Sequence, residues 1–258
     1  MTYSQQITSY ELSAYFECRT KAALLAQSIP STEPDVVSDL SQQYKLAACP
    51  AVERATYRTL IDFNQLADKL PIGDIQYAID CQSAIIDRAQ IGPLLAERTG
   101  RSTRCALSEG FSPILFCPFN RIQPWHTTIL TFAALAIEHV TGSVPAIGHI
   151  CFGHPPKLKT LRLKWPNQHS AAVQEFANAR GTGQPVELNP HCSICQYKAR
   201  CRRIARDEDS LSLVSSIPPK ERRKLQSKGI TTITQLSYTY RPRCPTGLIP
   251  DTLDRADA

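Results

Sequence analysis

The chain has 258 residues, of which 42% are hydrophobic; this is enough for a buried core and too much for a disordered chain. Its longest apolar run, 129–137 apart from Thr131, is far shorter than the roughly 20 residues that cross a bilayer. No signal-peptide pattern occurs. Together these observations predict a cytoplasmic protein without a membrane partner. The net charge of +6 is concentrated in 192–243, where 12 Lys and Arg residues accompany four acids. Such an excess is typical of a polyanion-binding surface, with a solvated basic helix face as the alternative.

The first half of the chain predicts helices followed by strands. Residues 8–11 (Thr-Ser-Tyr-Glu) fit a capping box, and apolar residues then recur at helical spacing, so a helix carrying Cys18 is predicted over 9–27. A second helix is predicted over 36–47. Short apolar segments predict strands at 75–79, 83–86 and 111–117, the last of them buried.

The next segments complete an α/β pattern. A nearly all-apolar helix is predicted over 127–140, strands over 145–152 and 158–165, and a further helix over 167–180. This order predicts an α/β core that closes before residue 185. A cysteine-rich segment, a charged helix and two short helices follow, and the part from Pro242 onward is predicted to be disordered.

One group of cysteines has the spacing of metal ligands. The ten cysteines are otherwise irregularly spaced, and reduced thiols are expected rather than a disulfide framework. Cys192 and Cys195 form a C-x2-C pair, and Cys201 follows six residues later. Such a site needs a fourth ligand, for which Cys18 is a better candidate than His191, since a residue directly beside a ligand is geometrically disfavoured. Spacing leaves zinc and an iron–sulfur cluster as alternatives.

These residues carry a family resemblance. The helix pattern aromatic-x-x-Cys-Arg-x-Lys-Ala at 15–22, together with C-x2-C-x5-C at 192–201, resembles the RecB-like nucleases of the PD-(D/E)XK superfamily that carry an iron–sulfur cluster. The segment 191–213 most resembles a branch in which a helix-hairpin-helix and an RNase H-like exonuclease domain follow. At 232–243 the chain looks like the junction before that second domain, which implies a truncated product.

The resemblance implies a fold, a cofactor and a partner. The implied fold is a restriction-endonuclease-like mixed sheet flanked by helices. The implied cofactor is a [4Fe-4S] cluster held by Cys18, Cys192, Cys195 and Cys201, and the implied partner is DNA. The corresponding domain prediction is a nuclease core over 1–190, a cysteine module over 191–208, a helix-hairpin-helix-like module over 209–240 and a disordered tail over 241–258.

The basic C-terminal segment supports nucleic-acid binding independently. Prolines at 218–219 open a predicted helix and Gly229 ends it, while the family's Gly-Ile-Gly hairpin is replaced by Ser-Ile-Pro at 216–218. Backbone N–H groups and nearby cations of such a unit bind phosphates, and the alternative is a small helical packing module. The predicted phosphate-binding side chains are Lys220, Arg222, Arg223, Lys224 and Lys228.

The catalytic pattern is incomplete. A PD-(D/E)XK site needs an Asp and then an acid-x-Lys pair on the next strand, to hold Mg2+ or Mn2+ and orient water. Asp80 or Asp87 with Glu109 are the available carboxylates, but no acid-x-Lys pair occurs between 70 and 125. The sequence therefore predicts a degraded or incomplete nuclease site. A non-catalytic nucleic-acid-binding fragment and a zinc-binding interaction module are the alternatives.

Overall fold

The computed structural model describes residues 6–31, 33–56, 59–61, 77–81, 84–87, 111–163, 168–180 and 182–239. They divide into two compact units, with the boundary between Ala199 and Arg200. Within these residues, no helix has the length and apolar character needed to cross a membrane.

The first unit combines strands and helices in an α/β arrangement. Its strands are β1 (Gln6–Thr8), β2 (Thr59–Ile61), β3 (Tyr77–Asp80), β4 (Ile85–Asp87), β5 (Phe111–Cys117), β6 (Ile147–Phe152) and β7 (Lys157–Arg162). Its helices are α1 (Ser9–Glu17), α2 (Arg19–Ala26), α3 (Val36–Thr56), α4 (His126–Thr141) and α5 (Gln168–Ala179), and a 3-10 helix covers Pro190–Ser193.

The main sheet is mixed and covered on both faces. Its strand order is β2-β3-β5-β6-β7, in which only β7 runs antiparallel to its neighbour, while β1 and β4 form a separate two-stranded sheet. Every residue of β5 is buried. Leu115 and Cys117 belong to the core with α1, α4 and α5, whereas Ile114 and Phe116 join the core with α3. This alternation places helices on both faces, so the predicted α/β fold with a helix-flanked mixed sheet is confirmed.

The predicted helix over 9–27 is wrong in one respect, because two helices meet at Cys18. This residue is extended (φ −162°, ψ 114°), and it is both the C-cap of α1 and the N-cap of α2. The side-chain amide of Asn189 donates to the carbonyl oxygen of Glu17 at 3.4 Å. That carbonyl would accept from Lys21 in a continuous helix, so a side chain from far along the sequence replaces a helical hydrogen bond. The capping box at Thr8 and Glu11 is confirmed.

The other predicted elements differ mainly at their ends. Helix α3 is longer than the predicted 36–47 and continues through Pro50, whose missing N–H removes one helical hydrogen bond. Helix α4 ends as predicted at Gly142, which has a positive φ of 67°. Strand β7 stops at Arg162, before the predicted end at 165, and the capping residue expected at 167 lies outside the described residues.

The second unit contains short helices. They are α6 (Lys198–Asp207), whose first turn contains the unit boundary, a 3-10 helix (Leu211–Leu213), α7 (Pro219–Ser227) and α8 (Ile233–Thr239). Gly229 has a φ of +82° and ends α7 as predicted. Asp209 joins the end of α6 to α8, since its carboxylate accepts from the Thr234 N–H at 2.8 Å, and this bond lowers the pKa of Asp209.

Candidate metal centre

Three of the four predicted cysteine ligands lie together in the first unit. Burial raises the pKa of the Cys195 thiol, and the nearby Cys18 and Cys192 raise it further. Asn189 links the two segments, because its side-chain amide donates to the Glu17 carbonyl next to Cys18 and its backbone N–H donates to Sγ of Cys192, each at 3.4 Å, so the segment that carries Cys18 lies against the C-x2-C loop. Cys192 and Cys195 are buried and Cys18 is half-buried. None of the three forms a disulfide with another described residue.

The loop that carries the C-x2-C pair directs backbone donors at its sulfurs. Asn189 begins the 3-10 helix as its N-cap, and its backbone N–H donates to Sγ of Cys192 at 3.4 Å. The Tyr197 N–H donates to Sγ of Cys195 at 3.5 Å and counteracts the effect of burial on the pKa of that thiol. Donors aimed at sulfur favour the thiolate, which is the form that binds metals.

Several contacts fasten this loop to α1 and α2. The Thr20 hydroxyl donates to the Pro185 carbonyl at 3.2 Å. The buried Tyr197 donates its hydroxyl to the Ile29 carbonyl at 2.8 Å. Together with the bond from Asn189 to the Glu17 carbonyl, these contacts hold both ends of the C-x2-C segment against the break at Cys18.

Buried charges surround the cysteines. The ammonium group of Lys21, only 2% exposed, lies 3.4 Å from a Glu17 carboxylate oxygen and 3.6 Å from one of Asp35, and it lowers the pKa of Cys195. Burial by itself would raise the pKa of Asp35, but the Tyr10 hydroxyl and Lys21 hold it below its usual value. This buried cation therefore favours the ionised form of the Cys195 thiol.

His191 is held by the same charges. Its Nε2 lies 3.3 Å from a Glu17 oxygen, and burial lowers its pKa although Glu17 opposes that shift. Its buried Nε2 has no hydrogen-bond partner among the described residues, despite the nearby Glu17.

The donors fit a thiolate-bound metal by type, although they do not converge on one point. Among the described residues, no three His, Cys, Asp or Glu side chains are arranged around a common centre at ligand distances. The buried thiols, the two N–H···S bonds and Lys21 are features that stabilise a metal-bound thiolate. Cys201, the predicted fourth ligand, is a buried residue of α6 in the second unit.

Comparison of the chain with protein-family models, with curated proteins and with solved structures gave no match.

The predicted phosphate-binding residues differ in exposure. Lys220, Arg223, Lys224 and Lys228 are exposed, and Lys224 forms an ion pair with Glu221 at 2.9 Å. Arg222 is only 5% exposed. Its position on α7 turns it away from solvent while its neighbours in sequence face outward, and its role as a phosphate ligand stays a prediction. Helix α6 adds exposed basic residues that the prediction omitted: Arg200, Arg202, Arg203 and Arg206.

The candidate catalytic carboxylates are only partly described. Asp80 ends β3, where its backbone pairs with Ile114 in the main sheet. Asp87 ends β4 and pairs with Gln6 in the two-stranded sheet. The two residues therefore belong to different sheets, which makes them alternatives rather than partners. Glu109 lies outside the described residues.

Proposed function

We propose that this protein binds nucleic acid, with DNA as the expected partner, and that it is a RecB-like nuclease-type domain whose cysteines hold a structural [4Fe-4S] cluster. The observation that carries the proposal is the approach of Cys18 to Cys192 and Cys195. The resemblance predicts that these three cysteines lie together, whereas the hydrophobic pattern of the sequence gives no reason to expect it. Zinc is the alternative metal, since thiolates bind both.

The cluster would serve folding rather than chemistry. A bound metal contributes its binding free energy to the folded state, because the ligands are brought together only when the chain folds. Here Cys18 would be joined to Cys192 and Cys195, so the break between α1 and α2 would be fixed against the loop at 189–197. Cys201 keeps its place as the proposed fourth ligand on sequence spacing alone.

The exposed cations of α6 and α7 support the nucleic-acid part of the proposal. Neutralisation of phosphates by Lys and Arg provides sequence-independent affinity that falls as salt is added. The αL glycine at the end of α7 and the short turn to α8 support the proposal of a helix-hairpin-helix-like unit.

The metal is tested by anaerobic purification of the whole chain, with iron, sulfide and zinc measured per chain. Iron with equivalent sulfide and a brown colour support the cluster, whereas zinc in a colourless protein supports the alternative. Cys18→Ser should lower the metal content of the folded protein. The matched control is Cys49→Ser, since Cys49 is also half-buried and is not a predicted ligand. Absence of both metals, or equal metal content in the two variants, would contradict the metal centre.

Nucleic-acid binding is tested with two triple variants that remove equal charge. In the first, Lys220, Arg223 and Lys228 become Ala; in the control, the exposed β7 residues Lys157, Lys159 and Arg162 become Ala. Each lost phosphate contact reduces the slope of log K against log salt by about 0.9 on duplex DNA and about 0.7 on single strands. The first variant should therefore lose up to about 3 units of slope on duplex DNA, and the control none. Equal slopes in the two variants would disprove the proposed surface.

Cleavage is tested separately from binding. Mg2+-dependent degradation of labelled single-stranded DNA, abolished by Asp80→Ala or Asp87→Ala, would add phosphodiester hydrolysis to the proposed function. Equal degradation by the wild type and both variants would indicate a contaminating nuclease. DNA binding without degradation is the result expected for an incomplete catalytic site.

A further inference from the structure

The first unit contains a cavity that none of the predicted cysteine ligands lines, although Glu17 and Lys21 border it. Its volume is about 700 Å3, and it lies at the carboxyl end of β5, with Leu115, Phe116 and Cys117 among its lining residues. Small-molecule sites typically have volumes of about 300–1,000 Å3, and in α/β folds they form beyond the carboxyl ends of parallel strands. The lining residues that the structure describes all belong to the first unit.

Cations outnumber carboxylates among the described residues that line this cavity. Lys21, Lys45 and Arg121 contribute positive charge, and Glu17 contributes the one carboxylate. Glu17 pairs with Lys21 at 3.4 Å and Asp35 lies 3.6 Å from the same ammonium group, so the excess positive charge of the lining comes from Lys45 and Arg121. Arg121 is exposed, and Lys45 is half-buried. The lining therefore favours a ligand that carries negative charge.

The starts of three helices border the cavity. Ser9 and Tyr10 lie in the first turn of α1, Val37 and Ser38 in that of α3, and His126 in that of α4, and all five residues line the cavity. The three helices have 9, 21 and 16 residues. The amino ends of α1 and α3 already have carboxylate partners, since Glu11 accepts the Thr8 N–H and Asp35 accepts the Ser38 N–H, whereas α4 has no side-chain cap and its amino end adds partial positive charge to the cavity.

Aromatic and apolar residues form the remainder of the walls. Phe119 is 48% exposed and lines the cavity with the half-buried Trp125. Phe116 and Ile129 are buried. An exposed aromatic ring beside cations is the combination on which a nucleobase stacks while its phosphate is bound.

The lining also holds unused hydrogen-bonding capacity. The buried Ser9 hydroxyl has no hydrogen-bond partner in the described part of the chain. Nδ1 of His126 accepts from the Gln123 N–H at 3.2 Å, which leaves its Nε2 to donate, and burial lowers its pKa to about 4, so that it is neutral at pH 7. A sugar or phosphate oxygen can satisfy such groups.

We infer that this cavity binds a nucleoside monophosphate, with its phosphate near the cations and the start of α4 and its base stacked on Phe119. This inference goes beyond the proposed function, since neither the predicted cysteine ligands nor any described residue of the second unit lines the cavity.

The test is calorimetric titration of the whole protein with AMP, adenosine and inorganic phosphate. AMP should bind with a stoichiometry of one molecule per chain. Adenosine and inorganic phosphate should each bind at least about tenfold more weakly, because adenosine lacks the phosphate and inorganic phosphate lacks the base. The site is located by fluorescence in a Trp165→Phe background, where Trp125 is the remaining tryptophan and should respond to AMP.

Two exposed residues allow substitution without disturbing the core. Arg121→Ala should weaken AMP binding about tenfold and leave adenosine unchanged. Phe119→Ala should weaken both AMP and adenosine by about fivefold or more. The control Lys159→Ala, an exposed cation outside the cavity, should leave AMP affinity unchanged.

Three results would overturn the inference. The first is no heat and no change in Trp125 fluorescence with millimolar AMP. The second is AMP affinity unaltered by both Arg121→Ala and Phe119→Ala. The third is adenosine or phosphate binding as tightly as AMP, which would reduce the site to an apolar pocket or an anion site. Because metal content and DNA affinity are measured separately, this failure is distinguishable from failure of the proposed function.

Discussion

His126 should make the stability of this protein depend on mildly acidic pH. The side chain is 4% exposed, and burial lowers its pKa from 6.5 to about 4. Because the folded-state pKa is the lower one, the unfolded chain binds the proton first, and the stabilisation is complete above pH 6.5 and lost as the pH falls to 4. The full loss is about 3 kcal/mol, of which about 2 kcal/mol has occurred by pH 5.

The assay is urea unfolding at pH 7, 6 and 5 for the wild type and His126→Asn. The asparagine oxygen can accept the Gln123 N–H in place of Nδ1, but it does not titrate. Between pH 7 and 5, the wild type should lose about 2 kcal/mol more free energy of unfolding than this variant. His139→Asn, at an exposed position near the end of the same helix, should retain the wild-type pH dependence. Parallel curves for the wild type and His126→Asn would refute the reasoning.

Three further predictions concern packing and buried bonds, each measured by urea unfolding. Glu11→Ala should cost about 3–5 kcal/mol, because it removes the carboxylate that lies 2.8 Å from the buried Arg180 guanidinium and that also accepts the Thr8 N–H in the capping box; a loss below 1 kcal/mol would contradict these contacts. Gly148→Ala should cost about 1–3 kcal/mol, since the added Cβ would lie 3.3 Å from the Leu130 side chain, and an unchanged midpoint would disprove the close approach. Tyr197→Phe should cost about 1 kcal/mol by removing its 2.8 Å bond to a carbonyl just after α2, whereas a neutral effect would mean that this bond does not hold the cysteine loop.

The regular elements were largely predictable because local sequence determines them. The capping box at Thr8, the apolar stretch of β5 and the glycines at 142 and 229 each indicated the structure that is observed. These signals lie within a few residues of the structure that they specify, so they do not depend on the rest of the fold.

The candidate site required more than local sequence. The C-x2-C spacing identified Cys192 and Cys195, and the choice of Cys18 came from a resemblance. The break at Cys18 was not predicted, because the residues around it have helical periodicity. It depends on a hydrogen bond from Asn189, which is distant in sequence.

Sequence alone therefore determined which segments are helices and strands, where the charge is concentrated and which cysteines have ligand-like spacing. Only the tertiary structure decided that helix 9–27 breaks in two, that Arg222 is buried, and that three helix starts and three cations meet at one cavity. The physical reason is that both burial and the electrostatic field at a site depend on residues that folding brings together from distant parts of the chain. A local sequence pattern therefore does not determine either of them.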